Sequence, residues 1–349
     1  MISSLGQQHV REATATSSRG QLNPVAVGPG VALCALATAG ALAINHWLPT
    51  VSPLLIAIVL GAVAANVAPL PRWLRPGLQF SAKRLLRIGV AMLGLQLVLG
   101  DILRLGYGVI IVVVSIVALG ITGTMFAGKW LGMTWTQRLL IACGFSICGA
   151  AAVAAVDGVI QAEDDEDVPT AVALVVICGT LMIPLLPAFA QALRLSDLAA
   201  GAWAGGSIHE VAQVIAAAAT MGGGALGVAV VVKLARVLML APVMAVLSVR
   251  QRRIAGTGTD IKRPPLVPLF VLAFMVCVAL RSADVVPPHL LQYAKVIQVA
   301  LLTAAMFALG TGVHASVLKK VGPRPFVLAV VSTVWIATVA LTGVMLASH

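Results

Sequence analysis

The chain has 349 residues, of which 60% are hydrophobic and 10% are charged, and its formal net charge is +11. So few polar residues cannot coat a soluble globule of this length, which excludes an ordinary soluble domain. Repeated apolar runs of about twenty residues, without the alternation of a membrane β-barrel, predict an all-α, polytopic membrane helix bundle.

Residues 1–30 are polar and rich in Ser, Thr and Gln, and we predict a disordered cytoplasmic tail there. The remainder, residues 31–349, is predicted to be one transmembrane domain, because its longest hydrophilic loop, 250–263, is too short to fold alone. We predict eleven spans, at 31–48, 53–69, 88–103, 107–127, 137–157, 170–190, 198–218, 225–247, 266–283, 293–313 and 325–346.

The basic residues indicate how these spans are oriented. When the loops are assigned alternately to two sides, beginning with the N-terminus on side A, side A receives 18 Lys and Arg residues and side B receives three. The acidic run at 163–167 falls on side B. Because cytoplasmic loops are enriched in basic residues, we predict a cytoplasmic N-terminus and an outside C-terminus. The net charge is then explained without a nucleic-acid partner.

An internal repeat is indicated at an offset of 216 residues. Leu93-Gly94 matches Leu309-Gly310, and Arg104-Leu105-Gly106 matches Lys320-Val321-Gly322. Seven spans separate the copies, so their orientations would be opposite, which is typical of inverted-repeat secondary transporters. Chance similarity between two apolar helices with glycine ends is the alternative.

A polar segment at 205–213 interrupts apolar sequence. Charged side chains inside a bilayer cost about 2.5–3.5 kcal/mol each on insertion scales and usually serve a function. The pair Gly205-Gly206 predicts a broken helix whose second half begins at Ser207, with N–H groups that attract an anion. Contacts between helices are the alternative explanation. The residues predicted to handle coupling protons are His209, Glu210 and Gln213.

A second segment, at 143–149, shares the pattern Gly-x-Ser-Ile with the first. Two glycines five residues apart around a serine can interrupt a transmembrane helix and expose its backbone, so we predict a pair of broken helices. Close packing through small residues is the alternative. Together the two segments supply the predicted substrate-binding residues Ser146, Cys148, Gly149, Gly206 and Ser207.

Lys233 and Arg236 lie one helical turn apart inside the predicted span 225–247. Two like charges on one helix face repel each other unless an anion or an acid lies between them. Because arginine presents a planar fork to tetrahedral oxyanions, we predict that this pair binds the substrate anion. The alternative is that Glu210 is their acidic partner.

The enzyme motifs in these segments are incomplete. The stretch His209-Glu210-Val211-Ala212-Gln213 lacks the second histidine of the zinc-protease pattern. The stretch Gly144-Phe145-Ser146-Ile147-Cys148 lacks the last glycine of G-x-S-x-G. We therefore expect no enzymatic activity, no metal and no cofactor. An intramembrane hydrolase with a Ser146–His209 dyad is kept as an alternative, since a nucleophile and its base need only meet in space.

Taken together, the motifs resemble those of the YeiH-type sulfate exporter family. They are Arg87-Ile88-Gly89, residues 143–150, Cys178-Gly179-Thr180, and residues 206–214, 232–237 and 308–320. The resemblance runs from about residue 30 to the C-terminus, and it departs at Ala151, where many relatives would have serine. It implies a multi-pass inner-membrane carrier of the inverted-repeat secondary transporter superfamily.

We therefore predict that residues 31–349 form a transporter that exports sulfate or a related small inorganic or organosulfur anion with proton coupling. A carrier for another organic anion, coupled to sodium or protons, is the alternative. The lipid bilayer is the expected partner, and homo-oligomerisation is left open.

Overall fold

The computed structural model describes residues 24–48, 51–68, 70–104, 106–160, 162, 164, 166–222, 224–254, 269–312 and 322–347, and it contains helices and no strand within them. The first helix begins at Pro24, so the predicted boundary at residue 31 is late by seven residues. The rest of the predicted tail, residues 1–23, lies outside the described residues.

Every predicted span coincides with helical structure. The helices are α1 Pro24–Trp47, α2 Pro53–Val67, α3 Arg75–Phe80, α4 Leu86–Leu93, α5 Leu99–Arg104, α6 Gly106–Trp130, α7 Trp135–Ser146, α8 Ala150–Ile160, α9 Asp167–Ala192, α10 Asp197–Ser207, α11 Val211–Ala218, α12 Ala225–Leu238, α13 Leu240–Ile254, α14 Leu269–Ser282, α15 Pro288–Gly310 and α16 Arg324–Ala347. In the described residues six helical stretches are long and apolar enough to cross a membrane: α1, α6, α9, α12 with α13, α15 and α16. The chain is therefore a polytopic membrane helix bundle in contact with lipid.

The predicted span 88–103 belongs to a longer helical segment that begins at Arg72. Short 3₁₀ turns and a π-helical turn, Ser81–Leu85, join α3 and α4 into one rod that we term the 72–96 segment. Lys83, Arg84 and Arg87 lie inside this rod, so their predicted place in a loop is wrong. Single π turns are rare and frequently mark functional sites.

The antiparallel pair α6 and α16 defines the two faces of the bundle. Gly128 packs against Leu328 near one end, and Gly108 packs against Ala347 near the other. Gly132 lies beside Arg324 at the first of these ends, which is therefore side A as assigned from the sequence. The end at Ala347 is side B.

Residues 197–218 form a helical hairpin whose two ends lie at the same face. Gly222, just after α11, packs against the carboxylate of Asp197, the first residue of α10. Ala225 packs against Gly201, so α12 starts beside the start of α10 and runs parallel to it. The chain has therefore entered the bundle and returned, and the predicted span 198–218 does not cross. We term these residues hairpin 2.

Hairpin 2 enters from side B. Its tip contacts the middle of α16 through His209 and Thr333, whereas Gly206 packs against Ala340, closer to side B. Helix α10 therefore starts nearer side B than its tip. Helix α9 ends five residues before α10 and has 26 residues, enough to cross a bilayer, so α9 begins at side A.

Residues 135–160 form the second hairpin, which enters from side A. Helix α7 starts at side A, three residues after Gly132, and α8 ends seven residues before α9 begins at that same side. Gly144 in α7 and Gly149 at the tip both pack against Val175, partway along α9. The predicted span 137–157 therefore also enters and returns, and we term it hairpin 1.

The two hairpins change the charge map. The connection between α8 and α9, with Asp164 and Glu166, lies at side A, so the predicted placement of the acidic run on side B is wrong. Arg194, between α9 and α10, moves to side B. Side A then has 17 Lys and Arg residues and side B has four, in place of 18 and three, because only Arg194 is reassigned.

Reciprocal contacts confirm the inverted repeat. Gly94 packs against the carbonyl oxygen of Phe274, and Gly310 packs against the carbonyl oxygen of Ile58. Each residue of one contact is offset by 216 from a residue of the other. The α4 and α15 rods run antiparallel, since Gly89 packs against Leu302 whereas residue 96, farther along the first rod, pairs with residue 298.

Candidate functional site

The tips of the two hairpins meet inside the bundle, and each contains a break of three residues. Helix α7 ends at Ser146 and α8 begins at Ala150; helix α10 ends at Ser207 and α11 begins at Val211. Each tip therefore brings a helix C-terminus and a helix N-terminus close together, with opposite partial charges. The predicted pair of broken helices is confirmed.

Ser146 and Ser207 each end a half-helix, so the prediction that a half-helix begins at Ser207 is wrong. The chain stays helical through Gly205 and Gly206, and the N-cap of α11 is Glu210. Both serine hydroxyls are buried and make no hydrogen bond among the described residues.

Arg236 binds the C-terminal ends of both entering helices. Its guanidinium donates hydrogen bonds to the carbonyl oxygens of Phe145, at 2.8 Å, and Ser146, at 3.1 Å. Its Nη1 also donates to three carbonyl oxygens at the end of α10, those of Gly205 (3.2 Å), Gly206 (2.6 Å) and Ile208 (3.1 Å). The last carbonyls of a helix lack intrahelical partners and carry the negative end of its dipole, so a cation stabilises them.

Lys233 completes this contact one turn earlier on α12. Its Nζ donates to the carbonyl oxygens of Ile147, at 3.0 Å, and Ile208, at 2.8 Å. Both cationic side chains are fully buried. Their described partners are backbone carbonyls and not Glu210, so the geometry gives Lys233 and Arg236 the role of holding the two tips together. Direct contact of either residue with an anion stays a prediction.

Glu210 joins the N-terminal ends of the two returning helices. It forms a capping box with Gln213 at the start of α11, in which the Glu210 N–H donates to Gln213 Oε1 at 3.2 Å. The Glu210 carboxylate also accepts a hydrogen bond from the N–H of Ala150, the first residue of α8, at 3.3 Å. One carboxylate therefore stabilises the positive ends of two helix dipoles.

Gln213 explains why a glycine follows Cys178 in α9. The Gln213 side chain passes directly over Gly179, where any larger residue would collide with it, and its Nε2 donates to the carbonyl oxygen of Val176 at 3.5 Å. Contacts with α9 thus hold the Gln213 side chain of the capping box in place.

His209 lies in the break of hairpin 2 and is fully buried. Its Nδ1 is 3.2 Å from the carbonyl oxygen of Phe145, and its Nε2 is 3.1 Å from Thr333 Oγ1. The Thr333 hydroxyl also bonds to the carbonyl oxygen of Ala329, at 2.9 Å, and its single proton can serve Ala329 or His209 but not both. When the Thr333 hydroxyl donates to Ala329, its oxygen can accept a proton carried by His209 Nε2. His209 can therefore bind a second ring proton. The Ser146–His209 dyad of a hydrolase is not formed, because both ring nitrogens bond elsewhere.

A cavity of about 130 Å³ lies where the two returning helices begin. The hairpin residues that line it are Cys148, Ala151, Glu210, Val211, Ala212 and Ile215. Because the first four N–H groups of an α-helix lack intrahelical partners, the starts of α8 and α11 offer backbone donors to this space. Of the predicted substrate-binding residues Cys148 lines the cavity, whereas Ser146, Gly149, Gly206, Ser207, Lys233 and Arg236 are not part of its described wall.

The opposite wall of the cavity comes mainly from α2, the 72–96 segment and α15. It carries the side-chain amides of Gln96 and Gln298, which hydrogen-bond to each other, and the exposed Lys295. Gln298 was not among the predicted site residues, and Lys295 was one of the three basic residues assigned to side B. A glutamine within the apolar run of α15 was the available signal, since buried amides require partners.

Gly149 is the residue at which the hairpin 1 backbone requires glycine. Its φ is +77°, and a methyl group there would collide with Glu210 Cγ. We expect Gly149→Ala to cost at least about 2 kcal/mol of stability through backbone strain and the collision. Thermal unfolding in detergent measures this. Gly227→Ala is the control, because position 227 lies in α12 with no heavy atom within 4 Å. Equal melting temperatures for the two variants would contradict the requirement for glycine at position 149.

Comparison with known proteins places this architecture in a family. Residues 29–329 match the family described as Conserved hypothetical protein 698. The chain is 55% identical to a UPF0324 membrane protein of Corynebacterium glutamicum, over 91% of this chain and 92% of the relative. It is 35% identical to the UPF0324 inner membrane protein YeiH of Escherichia coli, over 88% and 90% of the two chains. No solved structure matches the chain. The resemblance to YeiH-type proteins is confirmed, and the chain belongs to the UPF0324 family of membrane proteins.

Proposed function

We propose that this protein is a secondary transporter that moves sulfate or a related small oxyanion across the inner membrane together with a proton. The observation that carries the proposal is the cavity at the paired N-termini of α8 and α11, where the Glu210 carboxylate occupies the position of an anion. Helix N-termini bind oxyanions through free N–H groups and the helix dipole. Protonation of Glu210 would release these donors to the substrate.

The buried charges favour a doubly charged substrate. Lys233, Arg236 and Glu210 are at most 9% exposed, and with Glu210 ionised they leave one positive charge in the core. When Glu210 is protonated, two buried cations remain, and one dianion neutralises both. Since unbalanced buried charge is costly, we expect proton uptake and anion entry to occur together.

The cavity size favours an inorganic anion over a larger organic one. At about 130 Å³ the cavity is slightly smaller than an engineered cavity of about 150 Å³ that binds benzene. A tetrahedral oxyanion fits a cavity of this size, and a large organic anion does not. A hydrolase has no support from the bonding of His209 and Ser146 described above.

The inverted repeat and the two opposed hairpins support a transporter, because paired broken helices at the membrane centre are the usual substrate site of such proteins. The 17 basic residues of side A support a cytoplasmic N-terminus and an outside C-terminus. One proton with one dianion carries a net charge of −1. An inside-negative potential would therefore favour export by about 2.3 kcal/mol per 100 mV.

Flux of radiolabelled sulfate and sulfite in proteoliposomes tests this function. We expect protein-dependent flux that an imposed potential, negative on the side of the tracer, accelerates. We also expect acidification of the tracer side to accelerate it, since the proton travels with the anion. Liposomes without protein are the control. Absence of sulfate and sulfite flux above this control at every pH would overturn the proposal.

A further inference from the structure

Two adjoining cavities open at side A between hairpin 1 and the 72–96 segment. Their volumes are about 420 and 650 Å³, and they share five lining residues: Ala82, Lys83, Asp157, Ala162 and Val168. We term the combined space the side A antechamber. It is separate from the central cavity, with which it shares no lining residue.

One stripe of basic residues lines the antechamber. Arg75, Lys83 and Arg87 lie on the 72–96 segment at multiples of four residues, so they follow one another along a helix face towards the core. None of the three forms a salt bridge with a carboxylate in the part of the chain that the structure describes. The neighbouring Arg84 points elsewhere and lines neither cavity.

Carboxylates line the same space. Asp157 is in both cavities, and Asp164 and Glu166 line the larger one. The smaller cavity holds Lys83 and Arg87 against the single carboxylate of Asp157. Arg87 packs there against Gly158 of α8, and its guanidinium lies 5.8 Å from the Phe270 ring centroid. The smaller cavity therefore has one positive charge in excess, and this excess attracts an anion.

The partition between the antechamber and the central cavity is one helical turn thick. Three elements contribute to both spaces with residues three apart: Arg87 and Val90, Ala154 and Ala151, and Leu309 and Met306. Three residues of an α-helix rise about 4.5 Å. The two spaces are thus consecutive along the same helices.

Resting on the anion transport proposed above, we propose that the antechamber is a second anion-binding site. A small aqueous oxyanion is held there by Lys83 and Arg87 before it enters, or after it leaves, the central cavity. The site has its own cations and does not use Glu210, so it binds anions independently of the central proton step.

Thiol labelling at position 162 tests the antechamber without requiring transport. In an Ala162→Cys protein, the rate of a negatively charged methanethiosulfonate is divided by that of a positively charged one of similar size, each relative to its rate with a free thiol. Removing one lining charge, by Lys83→Gln or Arg87→Gln, should lower this ratio about fivefold, which corresponds to about 1 kcal/mol. Arg84→Gln is the matched control and should leave the ratio unchanged. Mass spectrometry reads the label at position 162 separately from the native cysteines.

Sulfate in the bath should slow the labelling, and this protection should be lost in Lys83→Gln and Arg87→Gln. An unchanged rate ratio in Lys83→Gln and Arg87→Gln, or an equal effect of Arg84→Gln, would overturn the antechamber. Protection seen only in vesicles that contain phosphatidylglycerol would identify a lipid headgroup as the occupant and also overturn it. If the labelling pattern holds but sulfate and sulfite flux are absent, the proposed function fails and the anion site stands.

Discussion

Arg236→Gln is expected to unfold at a much lower temperature than the native protein and to abolish anion flux. The shorter side chain withdraws the guanidinium from five carbonyl oxygens at the ends of α7 and α10. Burying carbonyls without partners in a membrane core should cost about 3–5 kcal/mol in total, even after partial relaxation. Thermal unfolding of purified protein in detergent, followed by flux in proteoliposomes, measures both effects.

Two variants show whether the bonding, and not the charge alone, is responsible. Arg104→Gln removes an arginine whose side chain is 86% exposed and should leave the melting temperature unchanged. Arg236→Lys keeps the charge but offers three donors in place of five, so its melting temperature should lie between those of the native protein and Arg236→Gln. If Arg236→Gln and Arg104→Gln had the same melting temperature, Arg236 would not hold the hairpin tips together.

Glu210→Gln is expected to uncouple anion binding from pH. In the native protein the anion needs a protonated Glu210, so its affinity should fall as the pH rises, by about tenfold per unit once the carboxylate is ionised. Glutamine is neutral at every pH and of similar shape, so it mimics the protonated carboxyl and holds the Ala150 N–H less strongly than the carboxylate does. The variant should therefore bind sulfate at neutral pH as tightly as the native protein does at low pH. Binding of radiolabelled sulfate, measured as a function of pH for the native protein and for Glu210→Gln, gives the two curves.

Asp197→Asn is the control for this experiment. Asp197 also lies in the first turn of a half-helix of hairpin 2, but at the side B end and outside the described wall of the central cavity. Its loss should leave the pH dependence of binding intact. Parallel curves for the native protein and Glu210→Gln would rule out Glu210 as the proton carrier.

The class of fold follows from the sequence because bilayer thickness demands apolar runs of a definite length. The same criterion fails for the two hairpins. Hairpin 1 and hairpin 2 are 26 and 22 residues long and mostly apolar, and a segment of that length satisfies hydropathy whether the chain crosses or turns back. The count of basic residues on each side did not reveal the hairpins either, because placing them correctly moves only Arg194 to the other side.

The position of the site was predictable, but its internal chemistry was less so. The cost of polar residues in lipid correctly drew attention to 205–213 and to Lys233 and Arg236. Ser207 is a favoured N-cap by type, yet Glu210 and Gln213 form the capping box, and sequence preference alone does not rank the two. The carbonyl partners of Arg236 come from residues 28 to 91 positions away, which no local pattern indicates. Gln298 likewise lines the cavity because tertiary packing brings α15 beside it, which no local pattern indicates.

Anomalous diffraction from crystals grown in selenate at low pH, where Glu210 is protonated, tests the proposed anion site most directly. Selenate is a tetrahedral dianion like sulfate, and the anomalous signal of its selenium locates the ion directly. We predict one selenate in the central cavity, within hydrogen-bond distance of the N–H groups of Ala151, Val211 and Ala212, with the Glu210 carboxyl displaced from Ala150. A selenate held between Lys233 and Arg236, or an empty cavity with Glu210 still bonded to Ala150, would contradict the site.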